Sequence, residues 1–146
     1  MPSEKGDALE LDELWSFVQK KSQQCWLWVA LCRRTRQIVS YTIADRSQEG
    51  AMSLREHLPP DYRRRATRSD LWLAYEAAFP KRTHRFCGKG EGETNHAERW
   101  FGTLRARVSR LVRQSYSFSK SVDRHLDAIH LFIISYNLSI KQATMA

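Results

Sequence analysis

The stretch CWLWVALCR, residues 25–33, is almost unbroken in apolar and aromatic side chains. It is less than half the roughly 20 residues a membrane helix requires, and it reads as a central β-strand. Polar segments flank it, KKSQQ (20–24) and RRTR (33–36), each short enough for a hairpin turn. The segment before it, LELDELWSFV (9–18), alternates Leu11, Glu13, Trp15 and Phe17 against Asp12, Leu14 and Ser16. The segment after it, QIVSYTIA (37–44), is rich in β-branched residues. The chain therefore opens as a three-stranded antiparallel meander.

Helical signals follow. Ser47 can cap a helix with Gly50 in its first turn, running towards Leu58 and stopped by Pro59-Pro60. YRRRATRSD (62–70) is polar and carries no clear period. SDLWLAYEAAF (69–79) reads as a helix stopped by Pro80, THRFC (83–87) as a short strand, and GKGEGE (88–93) as a glycine-rich loop. A helix from about Thr94 to Arg113 places Ala97, Phe101, Leu104, Val108 and Leu111 on one stripe. A last helix, from about Ser119 to Tyr136, does the same with Val122, Leu126, Ile129, Ile133 and Tyr136; Ser119 or Ser121 can cap it, and Asn137 or the residues beyond end it. This order implies a mixed α/β layer fold with helices packed on a central sheet.

At 146 residues and 42% hydrophobic side chains, the chain suits one domain with a real core. Its net charge is +8, and the excess is one-sided. Residues 1–60 balance eight basic against eight acidic side chains, whereas residues 61–146 hold sixteen against eight. Such a field suits a polyanion, nucleic acid before an anionic membrane. Cys25, Cys32 and Cys87 form no CxxC pair, and an odd count does not suit a disulfide framework or a zinc site. The polar start MPSEKGDALE is no signal peptide, and the expected setting is a reducing cytoplasm, at the nucleoid.

Three carboxylates stand out. Asp12 lies mid-strand, where aspartate is depleted. Asp70 sits where a polar segment becomes a helix, a position that capping alone explains. Glu98 flanks the apolar stripe of its helix, where a solvated pair with an arginine would also account for it. Together they suggest more: converging carboxylates repel unless a cation joins them, and hard oxygen ligands select Mg²⁺ or Mn²⁺.

Four blocks carry a resemblance: LDELWSFV (11–18), SDLWLAYEAAFP (69–80), GKGEGETNHAERWFGTLRARVSRLVR (88–113) and SFSKSVDRHLDAIHLFIISYNLS (117–139). The sequence resembles the DDE transposases of the bacterial insertion-sequence-one family. The resemblance implies an RNase H-like α/β fold, a mixed sheet opening with the antiparallel meander and flanked by helices. It implies a catalytic domain over residues 9–140 between tails at 1–8 and 141–146. Asp12, Asp70 and Glu98 then match the catalytic, metal-binding triad. Arg105, two helical turns after Glu98, matches a basic residue that touches DNA. Lys89, Asn95 and His96 match the third block, with Asn95 or His96 positioning the Glu98 helix, contacting DNA, or, for His96, simply hydrogen-bonding a carboxylate. Arg99, Arg107, Arg110, Arg113 and Lys120 are further candidates for phosphate contacts.

Two departures from the family pattern appear. Trp100-Phe101-Gly102 stands where a polar pair usually follows Glu-Arg, and no zinc-binding or helix-turn-helix segment precedes Asp12. The implied activity is cleavage and strand transfer with two Mg²⁺ ions (Mn²⁺ as substitute) on double-stranded DNA, both transposon ends and target. A homo-oligomer on DNA is expected, with an upstream-frame product bringing the zinc and helix-turn-helix segments, and no membrane partner. The alternative expectation is an inactive fragment that binds DNA or regulates the full enzyme.

Overall fold

The computed structural model describes residues 1–70, 73–88, 91–111 and 116–145. The three early segments form β1 (Ala8–Phe17), β2 (Gln24–Cys32) and β3 (Ile38–Ala44), paired antiparallel in sequence order. The turns between them use residues with positive φ, Gln19 at 62° and Arg36 at 61°.

The polar stretch 62–70 resolves into a strand, β4 (Ala66–Ser69), which pairs parallel to β1. It carries no apolar alternation because its inward groups are hydroxyls. Thr67 and Ser69 are buried, and their side chains hold opposite nitrogens of buried His84, at 2.8 Å (Nδ1) and 3.1 Å (Nε2). His84 opens β5 (His84–Phe86), parallel to β4, so the sheet order is β3-β2-β1-β4-β5. Burial holds His84 below its ordinary pKa, as suits a neutral ring between two hydroxyls. Ser69 therefore belongs to a strand and not to the following helix, whose described part is α2 (Leu73–Ala78).

Helices cover both sides of the sheet. On one side α1 (Gln48–Glu56) and α2 pack Ala51, Leu54, Ala74, Tyr75 and Ala78 against Leu9, Leu11, Trp28 and Ala30. Ser47 caps α1 by accepting from the Gly50 N–H at 3.4 Å. On the other side α3 (Asn95–Arg107) and α4 (Val122–Met145) pack Trp100, Phe101, Leu104, Ile129 and Ile133 against Leu14, Leu27, Val29 and Leu31. The two inner faces of β2 are thus Trp28 and Ala30 on one side, Leu27, Val29 and Leu31 on the other, which is why its sequence is continuously apolar.

Two helix boundaries differ from expectation. α3 stops at Arg107, because Val108 turns extended (φ −108°, ψ 93°) while its N–H still reaches the Leu104 carbonyl. A 3-10 turn at Ser109–Leu111 then restores enough helical phase to bury Leu111. Arg113, expected at the helix end, lies outside the described residues. α4 runs on through Asn137 to Met145, well beyond the expected close near Tyr136. The Asn137 side chain is occupied elsewhere, accepting from Ile38 N–H at 2.9 Å and donating to the Ile38 carbonyl at 2.8 Å, so it covers the edge of β3 rather than unwinding its own helix. Val122 and Leu126 of the expected stripe are exposed, and the buried residue in that turn is His125.

Candidate active site

Parallel pairing of β1 and β4 sets Glu10 beside Arg68. That register, carried on two residues, would set Asp12 level with Asp70, which directly follows β4. Asp12 and Glu10 share one face of β1, the face that α3 covers, since alternate residues point to the same side.

α3 is held to that face by an unexpected residue. The Thr94 side chain makes no capping bond. Instead Glu10, fully buried, reaches across from β1 and takes the helix's open N–H groups: its Oε2 accepts from His96 N at 2.9 Å and from Ala97 N at 3.0 Å. Its Oε1 meets His96 Nδ1 at 2.5 Å and the Arg33 Nε at 3.2 Å. Arg33 and Arg68 both pair with Glu93, just before the helix. A carboxylate at a helix N-terminus is further favoured by the helix dipole. One residue beyond Ala97 stands Glu98, so the contact that anchors α3 also fixes where Glu98 begins its reach. The strand that carries Asp12 thus carries the anchor for Glu98.

The electrostatics agree with the topology. The Asp12 carboxyl is pushed up to about 8, chiefly by burial, then by the adjacent Glu13 charge and, more weakly, by Asp70 and Glu98. A backbone hydrogen bond from Glu13 N at 2.8 Å opposes the shift. Asp12 therefore stands in the field of both Asp70 and Glu98. Among the described residues, no three His, Cys, Asp or Glu side chains close into a ready-made ion cage. The donor set itself, three carboxylates of which one resists ionisation, suits a hard divalent cation.

Glu13 points the other way. It accepts from Tyr75 Oη at 2.7 Å and from two nitrogens of Arg46 at 3.0 and 2.8 Å, and Arg46 lies over the Trp26 ring at 4.7 Å. It is a structural acid on the α1–α2 side.

A model of the IS1 transposase family matches residues 8–138. The chain belongs to the IS1 transposase family. Curated family proteins are similar over most of its length. It is 39% identical over 124 residues to the insertion element iso-IS1n protein InsB of Shigella dysenteriae, covering 85% of this chain and 92% of that one. It is 32% identical over 132 residues to the IS1 protein InsB of Shigella flexneri (90% and 94% covered) and to the IS1 4 protein InsB of Escherichia coli K12 (90% and 74%). The five-stranded mixed sheet with helices on both faces is consistent with the RNase H-like fold. As an IS1 transposase the chain is an enzyme of DNA transposition.

The remaining expected residues of this transposase fall into groups. His96 sits at the head of α3 against Glu10, and Asn95 beside it is exposed, next to Gly92, whose φ of 72° turns the loop into the helix. Arg99 and Arg107 are exposed on α3, and Arg105 is half-buried two turns beyond Glu98. Arg110 and Lys120 come together, away from the carboxylates, in a cavity at the start of α4. Lys89 and Arg113 lie outside the described residues. Sequence reasoning missed Glu10, Arg33, Arg68 and Glu93. The signal was present for Glu10: a second acid two places before Asp12 shares its strand face, and the depletion argument applies to it equally. Among the described residues, no helix is long and apolar enough to cross a membrane.

Proposed function

We propose that this transposase cleaves DNA at the ends of its insertion element and joins the freed 3′ ends to target DNA, with Asp12, Asp70 and Glu98 holding two Mg²⁺ ions, or Mn²⁺ in their place. The observation that carries this is the Asp12 carboxyl: half-buried, raised to about 8, and loaded further by two other carboxylates, it would be stabilised as an anion by a divalent cation. Bound divalent ions supply a more acidic water and neutralise charge at the phosphorus undergoing in-line displacement. Asp12 and Asp70 would hold them from adjacent strands and Glu98 from the facing helix. Arg105, on the same helix face as Glu98, would present its guanidinium to a backbone phosphate. Arg99 and Arg107 would hold the flanking duplex. Attack in line needs little covalent assistance, so positioning and charge neutralisation carry the rate.

Joining two ends calls for two sites, hence a homo-oligomer on DNA, with an upstream-frame product contributing end recognition. The test is a cleavage and joining assay on the element's own terminal repeats in Mg²⁺, with and without that upstream product. Asp70→Asn should abolish joining and leave DNA binding intact or stronger. Turnover by Asp70→Asn at the wild-type rate would remove the metal assignment. Wild-type binding without joining under every condition would leave a DNA-binding regulator.

A further inference from the structure

A second site lies where α3 ends and α4 begins. A cavity of about 500 Å³ opens between the 3-10 turn, the segment 116–121 and the first turn of α4. Three cations line it, Arg110, Lys120 and Arg124, together with the hydroxyls of Ser109 and Ser121, and no acidic residue is among its described lining. Tyr116, fully exposed, stands at its rim. The volume is that of a small-molecule site. The first turn of α4 adds its positive end, with Ser121 accepting from the Arg124 N–H at 3.3 Å.

The cavity wall is built rather than loose. Ser119 bridges Val18 beyond the end of β1, and its carbonyl accepts from Gln19 N at 2.7 Å. The Gln19 side chain donates to the Lys120 carbonyl at 3.1 Å. Beneath, buried His125 is held by Ser16 at 2.9 Å and Ser119 at 2.8 Å, one on each ring nitrogen. Phe118 lies 6.0 Å from Phe17, ring centre to ring centre. The cavity is thereby tied to the far end of the strand that carries Asp12. Five residues separate Asp12 from Phe17, roughly 17 Å along an extended strand.

A pocket of positive charge and hydroxyls suits phosphate, and an exposed aromatic ring beside it suits a base. Together they are the elements of single-strand binding: a charged groove for the backbone and a stacking platform tolerant of sequence. A base within a duplex is already stacked on both sides, so Tyr116 can serve only an unpaired or frayed one. We propose that this cavity is a nucleotide subsite for an unpaired stretch of the DNA strand, where Arg110, Lys120 and Arg124 grip backbone phosphates and Tyr116 stacks on a base. It lies about 17 Å along β1 from Asp12. The proposal rests on DNA being the substrate and adds a strand-specific hold remote from the reacting phosphate.

The test uses the full chain in EDTA, so that no chemistry intervenes, with a labelled 12-nucleotide oligodeoxythymidine and a blunt duplex of the same length, read by fluorescence anisotropy over a salt series. Tyr116→Ala should weaken single-strand binding about tenfold with the salt slope unchanged, and Tyr116→Phe should restore it. Arg124→Ala and Lys120→Ala should each lower the salt slope by roughly one. Duplex binding should change less with Tyr116→Ala than single-strand binding does. Equal losses on both DNAs would overturn the unpaired-strand assignment, and wild-type affinities and slopes in all variants would overturn the subsite. A chain that shows these signatures yet fails to join ends in Mg²⁺ would keep the subsite and lose the catalytic reading, so the two failures are distinct.

Discussion

Asp12 is a carboxyl whose ionisation the fold opposes. Its carboxyl titrates near 8 in the folded chain against 3.8 for an ordinary aspartate. Between those values the folded state binds a proton that the unfolded state has released, so stability falls as pH rises through that window and levels above 8. In EDTA, Asp12→Asn should therefore match wild type near pH 4 and melt several degrees higher at pH 8; Mg²⁺ at pH 8 should then raise the wild-type melting temperature and leave the variant unchanged. Parallel melting curves for the two proteins across pH, by calorimetry, would refute this. Glu10 is held by contacts instead: four donors, two of them helix N–H groups, engage both oxygens of its buried carboxyl. Glu10→Ala strands the Arg33 contact and uncaps α3, and the expected loss is about 3–5 kcal/mol by urea denaturation. Glu10→Gln retains two acceptor lone pairs for the helix and should recover part of that stability while weakening the hold on Arg33. Asp12 was legible in the sequence because a strand aspartate wants a reason. Glu10 met the same criterion and was passed over because no motif drew attention to it.

At the scale of elements, the first three strands and the starts of α1 and α3 were readable, while the ends of α3 and α4 and the polar strand β4 were not. β1, β2 and β3 came from alternation and continuous apolarity, patterns that burial on one or two faces enforces directly. β4 hid because its two inward hydroxyls, Thr67 and Ser69, satisfy burial by hydrogen bonds to His84, which leaves no hydrophobic period to find. The end of α3 hid because a 3-10 turn preserves the apolar stripe through Leu111 after the helix itself has stopped. Two glycines sort out helix packing by contrast. A Cβ on Gly50 would stand 2.6 Å from the Asp45 carbonyl and 2.8 Å from the Trp28 ring, so α1 can lie on β2 only with glycine there. A Cβ on Gly102 would meet nothing within 4 Å. Gly50→Ala should therefore destabilise by about 1–3 kcal/mol through overpacking. Gly102→Ala should stabilise by about 0.5–1 kcal/mol through helix propensity alone. Chemical denaturation of both variants checks the pair, and a destabilised Gly102→Ala would mean that α3 depends on flexibility at its centre.

Over the whole molecule the charge asymmetry acquires a geometry. The balanced first sixty residues build the meander and spend their charges internally: Arg33 on Glu10 and Glu93, Arg34 on Asp7, Arg46 on Glu13. The basic second half supplies α3, the turn after it and the head of α4, where Arg99, Arg107, Lys120 and Arg124 are exposed. Composition showed that the excess existed, and the packing of α3 and α4 on one face of the sheet puts part of it, Arg99, Arg107 and Arg124, on the helices that cover the side Asp12 faces. A polyanion crossing that face displaces counterions in proportion to the phosphates it brings to these side chains, so duplex affinity should fall steeply with salt. Arg99→Ala and Arg107→Ala should each reduce the slope of log affinity against log salt by about one, and the double variant by about two. Lys5→Ala, exposed on the N-terminal segment of the balanced half, removes the same charge and should leave the slope unchanged. Equal slope changes for Lys5→Ala and the α3 variants would mean that DNA reads net charge alone, and the face built by α3 and α4 would lose its claim to be the binding surface.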